Sequence, residues 1–133
     1  EKILREFDTL TIVGVSRDPT KTAHLVPKSL QAAGFRVVPV NPTVQGELLG
    51  ETVYARLADV PPPVEVVVVF RPSNEAAEIA RQAVAVGARA LWLQLGIVSD
   101  EARQIAESNG LLYVEDRCTA VERALHRIVK NQP

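Results

Sequence analysis

The sequence predicts an α/β fold with a doubly wound, mainly parallel sheet between two layers of helices. Three observations predict it. Segments that read as strands and as helices alternate along the chain. The phrase helix, glycine, strand recurs at Gly34-Phe35, Gly87-Ala88 and Gly110-Leu111, with glycine supplying a left-handed helix cap. The runs Val64 to Phe70 and Ala90 to Leu93 are almost continuously apolar, as parallel strands covered on both faces are.

The elements follow in order. Thr11 to Val15 reads as the first strand, Ala23 to Ala33 as a helix closed by Gly34, and Phe35 to Val40 as the second strand. Pro39 sits inside that strand without an N–H to give, so its nitrogen is expected to face a weakly paired side. Residues 43–60 are less regular, with a short strand at Thr52 to Tyr54 and a helical turn at Ala55 to Asp59. Pro61-Pro62-Pro63 is a rigid connector into the strand Val64 to Phe70. Ser73 is placed to cap the next helix, which ends at Gly87. The strand Ala88 to Leu95, a helix from Ser99 to Gly110, the strand Leu111 to Val114 and a last helix from Thr119 to Lys130 complete the chain.

Bulk composition narrows the function. The 133 residues fit one domain, residues 1–133, with its own core. A formal net charge of -1 gives no footprint for non-specific nucleic-acid binding. No apolar run approaches the roughly 18 residues needed to span a bilayer, and no secretory leader is legible. A single cysteine, Cys118, excludes a disulfide within the chain, and a cytoplasmic setting is expected.

In a sheet of this kind ligands bind beyond the carboxyl ends of the strands, where strand order reverses. The residues at those ends are Gly14-Val15-Ser16-Arg17, Asn41-Pro42, Phe70-Arg71-Pro72, Gln94-Leu95-Gly96 and Asp116-Arg117-Cys118. The first loop opens like a nucleotide-binding turn and then departs from it. A dinucleotide fingerprint requires further glycines where this chain has Ser16 and Pro19. Gly14 still allows close backbone approach, Ser16 offers a hydroxyl, and Arg17 and Lys21 add positive charge beside a helix N-terminus, which suits a pyrophosphate. The plain alternative is a chain turn with solvated charges.

The end of the second strand bears Asn41-Pro42-Thr43, with no carboxylate to hold a ribose. That disfavours NAD and leaves open the ribose-phosphorylated cofactors, NADP and coenzyme A. Arg71 ends the most buried strand, where it can face a phosphate or pair with Glu75. Phe70 and Pro72 offer apolar surface to an adenine or a pantetheine arm, or simply pack.

Catalytic chemistry finds no constellation. His24 and His126 are the only histidines, no zinc spacing occurs, and neither a nucleophile elbow nor a phosphate-binding G-x-x-x-x-G-K-[ST] loop is present. Cys118 reads as a small inert cysteine or as a thiol at the ligand rim able to form a mixed disulfide.

With these residues in view, the sequence resembles the small bacterial and archaeal coenzyme A-binding proteins, single domains of the type that opens the succinyl-CoA synthetase α subunit. The matching words are VGVSRDP (13–19), GFRVVPVNP (34–42), LGETVYARLADVP (49–61), VVVVFRPS (66–73), GARALWLQLGI (87–97) and EDRCTAVE (115–122). Together they cover nearly the whole chain in order.

The resemblance implies a Rossmann-like fold that binds coenzyme A or an acyl-CoA. It sets a phosphate against Gly14, Val15, Ser16, Arg17 and Lys21, and the adenosine end beside Asn41 and Pro42. Phe70, Arg71 and Pro72 would line the cleft, with Gln94 and Gly96 closing its far side. Two departures stand out. The synthetase-type loop is richer in glycine, and it carries a lysine after the second strand where this chain has Thr43-Val44-Gln45; Arg17 or Lys21 is expected to supply that charge. The 133 residues hold neither the phosphohistidine domain nor the nucleotide-binding subunit of a synthetase. The expected role is therefore a binding module. A small NADP-dependent oxidoreductase and a structural subunit with a vestigial cleft are the alternatives.

Overall fold

A computed structural model describes residues 1–130. Five strands form one parallel sheet: β1 (Thr9–Val13), β2 (Arg36–Val40), β5 (Val66–Val69), β6 (Ala90–Leu93) and β7 (Leu112–Val114), in the order β2-β1-β5-β6-β7. A two-stranded antiparallel hairpin, β3 (Glu47–Leu48) with β4 (Glu51–Thr52), lies between β2 and β5 in sequence. Strand order reverses between β1 and β5, which makes the gap between their carboxyl ends the switch point.

The helices are α1 (Lys2–Glu6), α2 (Thr22–Ala32), α3 (Ala76–Ala85), α4 (Asp100–Ser108) and α5 (Thr119–Leu125). Alternation along β5 divides the core. Val66 and Val68 pack with Leu4, Leu30, Trp92 and Ile128 on the face covered by α1, α2 and α5. Val67 and Val69 pack with Ile79, Ala80, Ala102 and Ala106 under α3 and α4. Burying each of these valines stabilises the fold by about 1.5 kcal/mol or more. The expected three-layer, Rossmann-like arrangement is the one observed.

Pro39 obeys the expected rule. β2 is an edge strand, and the Pro39 carbonyl turns outward to accept from Tyr54 N–H at 3.0 Å. Its nitrogen therefore also faces out, away from β1, where no ladder bond is lost.

Local details differ from the sequence reading. β1 begins at Thr9 and ends at Val13, because Gly14 at φ 98° leaves extended geometry. Ser73 opens a 3-10 turn, Ser73–Glu75, and its Oγ accepts from Val98 N–H at 3.1 Å instead of capping α3. α5 ends at Leu125, and Arg127 at φ 52° turns the chain after it. No helix among the described residues is long and apolar enough to cross a membrane.

Candidate functional site

The loops after β1, β2 and β5 meet at the switch point. Gly14 N–H donates to Val40 O and Phe70 N–H to Val13 O, both at 2.9 Å, so the ladders run on into the loops. Gly14 lies so close to its neighbour that an added Cβ would stand 2.9 Å from Phe70 O and 3.1 Å from Arg71 Cδ. Only glycine fits both that approach and the positive φ.

A proline in α2 shapes the first loop. Pro27 lies inside the helix and has no N–H, so the Ala23 carbonyl loses its partner four residues on. Ser16 N–H donates to that carbonyl at 3.0 Å and pins the loop to the helix. His24 Nδ1 lies 2.7 Å from Ser16 O. A carbonyl can only accept, so the proton is on Nδ1. Asp18 N–H donates to Ser16 Oγ at 3.1 Å, and the Asp18 carboxylate accepts from Thr20 Oγ1 at 2.7 Å and Thr20 N–H at 3.0 Å. Those two bonds hold the Asp18 carboxyl below its usual range, the side-chain bond counting most. The loop is thus rigid before any ligand arrives. No side chain caps α2, whose first turn, with Thr22 and Ala23, borders the loop.

Asn41 works as a brace. Its Nδ2 donates to Val15 O at 2.9 Å, and its Oδ1 accepts from Thr43 N–H at 2.9 Å and Thr43 Oγ1 at 2.8 Å. Both ends of the amide serve the protein, joining the β1 and β2 loops. Arg71 forms a forked pair with Glu75, Nε at 3.1 Å and Nη2 at 2.8 Å, on the surface. The pair raises the Arg71 pKa and lowers that of Glu75, each chiefly through the side-chain hydrogen bond.

Three adjoining cavities occupy this rim. One, about 440 Å³, is bounded by Gly14, Ser16, Arg17, Asp18, Lys21, Asn41, Phe70 and Arg71, its one carboxylate, Asp18, being held by Thr20. A second, about 360 Å³, shares Gly14, Asn41 and Arg71 and extends past Pro42 to Arg56, Glu75 and Ile79. A third, about 620 Å³, shares Lys21, Ala23 and Phe70 with the first and runs along Gln94, Leu95, Ile97 and Cys118. Among the described residues Arg17 and Lys21 make no ion pair, unlike Arg56, which pairs with Asp59 at 3.2 Å.

Most expected site residues therefore converge, with some in altered roles. Val15 is buried and reaches the site only through its carbonyl. Gln94 is buried and its Oε1 accepts from Thr119 N–H at 3.0 Å, fixing the start of α5. Gly96 N–H is taken by Asp116 Oδ1 at 2.7 Å. Pro72 is exposed at the turn and lines none of the three cavities. Residues the sequence did not single out join them: Arg56 and Ile79 in the second cavity, Leu95 and Ile97 in the third.

The sequence and the fold both match known proteins. The family model for a CoA binding domain matches residues 8–124. The chain is 34% identical over 125 residues to the uncharacterized protein YneT of Bacillus subtilis, covering 94% of this chain and 92% of that one. Cell-free ID.343 from Thermus thermophilus superposes with a TM-score of 0.88 at 37% identity, covering 93% of each chain. A hypothetical protein from Pyrococcus horikoshii OT3 superposes at 0.88 with 34% identity, covering 96% of this chain and 87% of its own.

Proposed function

The chain belongs to the CoA binding domain family, and from that premise we propose that the β1, β2 and β5 loops bind coenzyme A as a binding module without ligase chemistry of its own. One observation carries the reading: Arg17 and Lys21, without ion pairs among the described residues, share a cavity with the bare backbone of Gly14 beside the uncapped start of α2. That is a setting for a pyrophosphate.

The adenosine end then lies in the second cavity, against Pro42, Thr43 and Ile79. No carboxylate closes the end of β2 at residues 41–43. Arg56 and Arg71 are the cations of that cavity and, in place of the expected Arg17 or Lys21, stand in for the lysine the synthetase-type loop carries. Arg56 is free to do so at little cost, because its pair with Asp59 is exposed, and such pairs contribute about 1 kcal/mol or less. The pantetheine arm passes Phe70 into the third cavity. A cytosolic setting keeps Cys118, the one thiol, reduced.

Isothermal calorimetry with coenzyme A, dephospho-CoA and NADP tests the reading. Coenzyme A is expected to bind at micromolar affinity or tighter. Dephospho-CoA is expected to bind about tenfold more weakly, the worth of one charge-assisted hydrogen bond. Equal affinity for the two removes the role given to Arg56 and Arg71. Binding of NADP in preference to coenzyme A would falsify the assignment itself.

A further inference from the structure

The third cavity differs in chemistry from the other two. Ala23, Phe70, Leu95, Ile97 and Cys118 make its walls largely apolar. The one buried polar side chain there, Gln94, already gives its oxygen to Thr119 N–H. It adjoins the cavity at Gly14, with which it shares Lys21, Ala23 and Phe70, so charged and apolar walls lie side by side.

Apolar side chains are also exposed on the elements that border this cavity. Leu95, which lines it, is 69% exposed, Val121 on α5 53%, and Leu25 on α2 51%. Residues three apart share a helix face. Leu25 stands one turn on from Thr22, and Val121 three residues on from Cys118, at the α5 N-cap. Large exposed apolar side chains beside a groove suit hydrocarbon that a ligand brings. Free coenzyme A ends in a short polar arm and a thiol, which leaves this rim in water.

We infer, taking coenzyme A binding as the premise, that the ligand is an acyl thioester of medium or longer chain whose hydrocarbon lies between the first turns of α2 and α5. The apolar branch then acts as a chain-length reader, and the charged branch holds the nucleotide common to all such ligands. Burying one methylene multiplies affinity roughly fourfold. Partial burial of an eight-carbon chain is therefore expected to yield at least about a tenfold gain over the acetyl thioester.

The test is calorimetry of the full chain with coenzyme A, acetyl-CoA and octanoyl-CoA below its micelle concentration, repeated on Leu25→Ser/Val121→Ser. Both positions are exposed, so the double variant is expected to fold. Octanoyl-CoA should bind at least about tenfold more tightly than acetyl-CoA, and the double variant should cut that ratio to about threefold or less. If all three ligands bind the wild type within about twofold of each other, the chain-length inference fails while the coenzyme A reading stands. An octanoyl preference that the double variant retains in full places the chain elsewhere and also overturns the inference. Absence of binding by all three overturns the coenzyme A reading and this inference with it.

Discussion

The two rims of the sheet start from the same parts and finish differently. At the amino rim the two ends of the described chain cross. Lys130 N–H donates to Ala33 O and Lys130 Nζ to Arg5 O, both at 2.7 Å, and Nζ lies 3.0 Å from Asp8. Arg5 Nη2 reaches His126 O at 3.0 Å, and Ile3, Leu4 and Phe7 are buried beneath. Glu1, Arg5, Asp8 and Lys130 satisfy one another there, while Arg36 and Arg89 on the same rim make no ion pair among the described residues. At the carboxyl rim the backbone is braced just as firmly, by Asn41 on Val15 and by Ser16 on Ala23, but Arg17 and Lys21 make no ion pair among the described residues. The crossing at one rim uses its polar groups for cohesion. The other fixes its loops and sets Arg17 and Lys21 beside a cavity, as when a rigid scaffold carries a binding site.

A glycine at each rim makes the comparison testable. Gly34 and Gly14 both have positive φ, 96° and 98°. A Cβ at Gly34 would overlap the Lys130 carbonyl, backbone against backbone, where no rotamer change relieves the clash. Gly34→Ala should lift the Lys130 segment off Ala33 and destabilise the fold by about 3 kcal/mol or more, with ligand affinity per folded molecule unchanged. Urea denaturation measures the first and calorimetry on the folded fraction the second. Wild-type stability in Gly34→Ala would show that the two ends are not clasped in solution.

Gly14→Ala should act the other way round. Its stability cost is smaller, about 1–2 kcal/mol for the left-handed backbone. The added methyl also presses on Phe70 O and pushes the β1 and β5 loops apart, so coenzyme A affinity should fall about tenfold or more. If Gly14→Ala binds coenzyme A as tightly as the wild type does, the ligand is not seated at the switch point.

Much of this division was legible in the sequence. Unbroken apolar runs at Val66 to Val69 and Ala90 to Leu93 announced strands covered on two faces, and the strand ends then placed Gly14, Asn41 and Arg71 on one rim. Pro39 announced a weakly paired side, which is the outer side of the edge strand β2. What stayed hidden depends on partners far along the chain. Nothing around Pro27 in the sequence points to Ser16, and only the fold shows Ser16 occupying the carbonyl that the proline frees. Asn41 reads equally well as a ligand contact or a turn residue; the nearness of Val15 decides for a brace. Gln94 reads as a cleft residue and does border the third cavity, and only the fold shows Thr119 N–H claiming its oxygen. Arg56 carries no local signal, since it reaches the second cavity only because residues 43–60 fold back along β2, with Tyr54 bridging to Val40.

The mildest perturbation addresses Arg71, a cation of the open rim that is already paired. Its guanidinium is forked onto Glu75, yet it borders both the first and second cavities. A bound phosphate must compete with that carboxylate. Glu75→Gln keeps the shape and removes the charge, so coenzyme A affinity should rise about threefold. The folding free energy should move by less than about 1 kcal/mol, because the pair is exposed. Arg71 lowers the Glu75 pKa, so the stability the pair contributes is present above the unfolded carboxylate value and is lost only as pH falls through the depressed one. Between about pH 6 and 8 Glu75 therefore stays ionised, and the ratio of variant to wild-type affinity should be flat. A variant that binds coenzyme A more weakly than the wild type reverses the picture: Glu75 would then be aiming Arg71 at the ligand, and both rims would spend their charges on fixing structure.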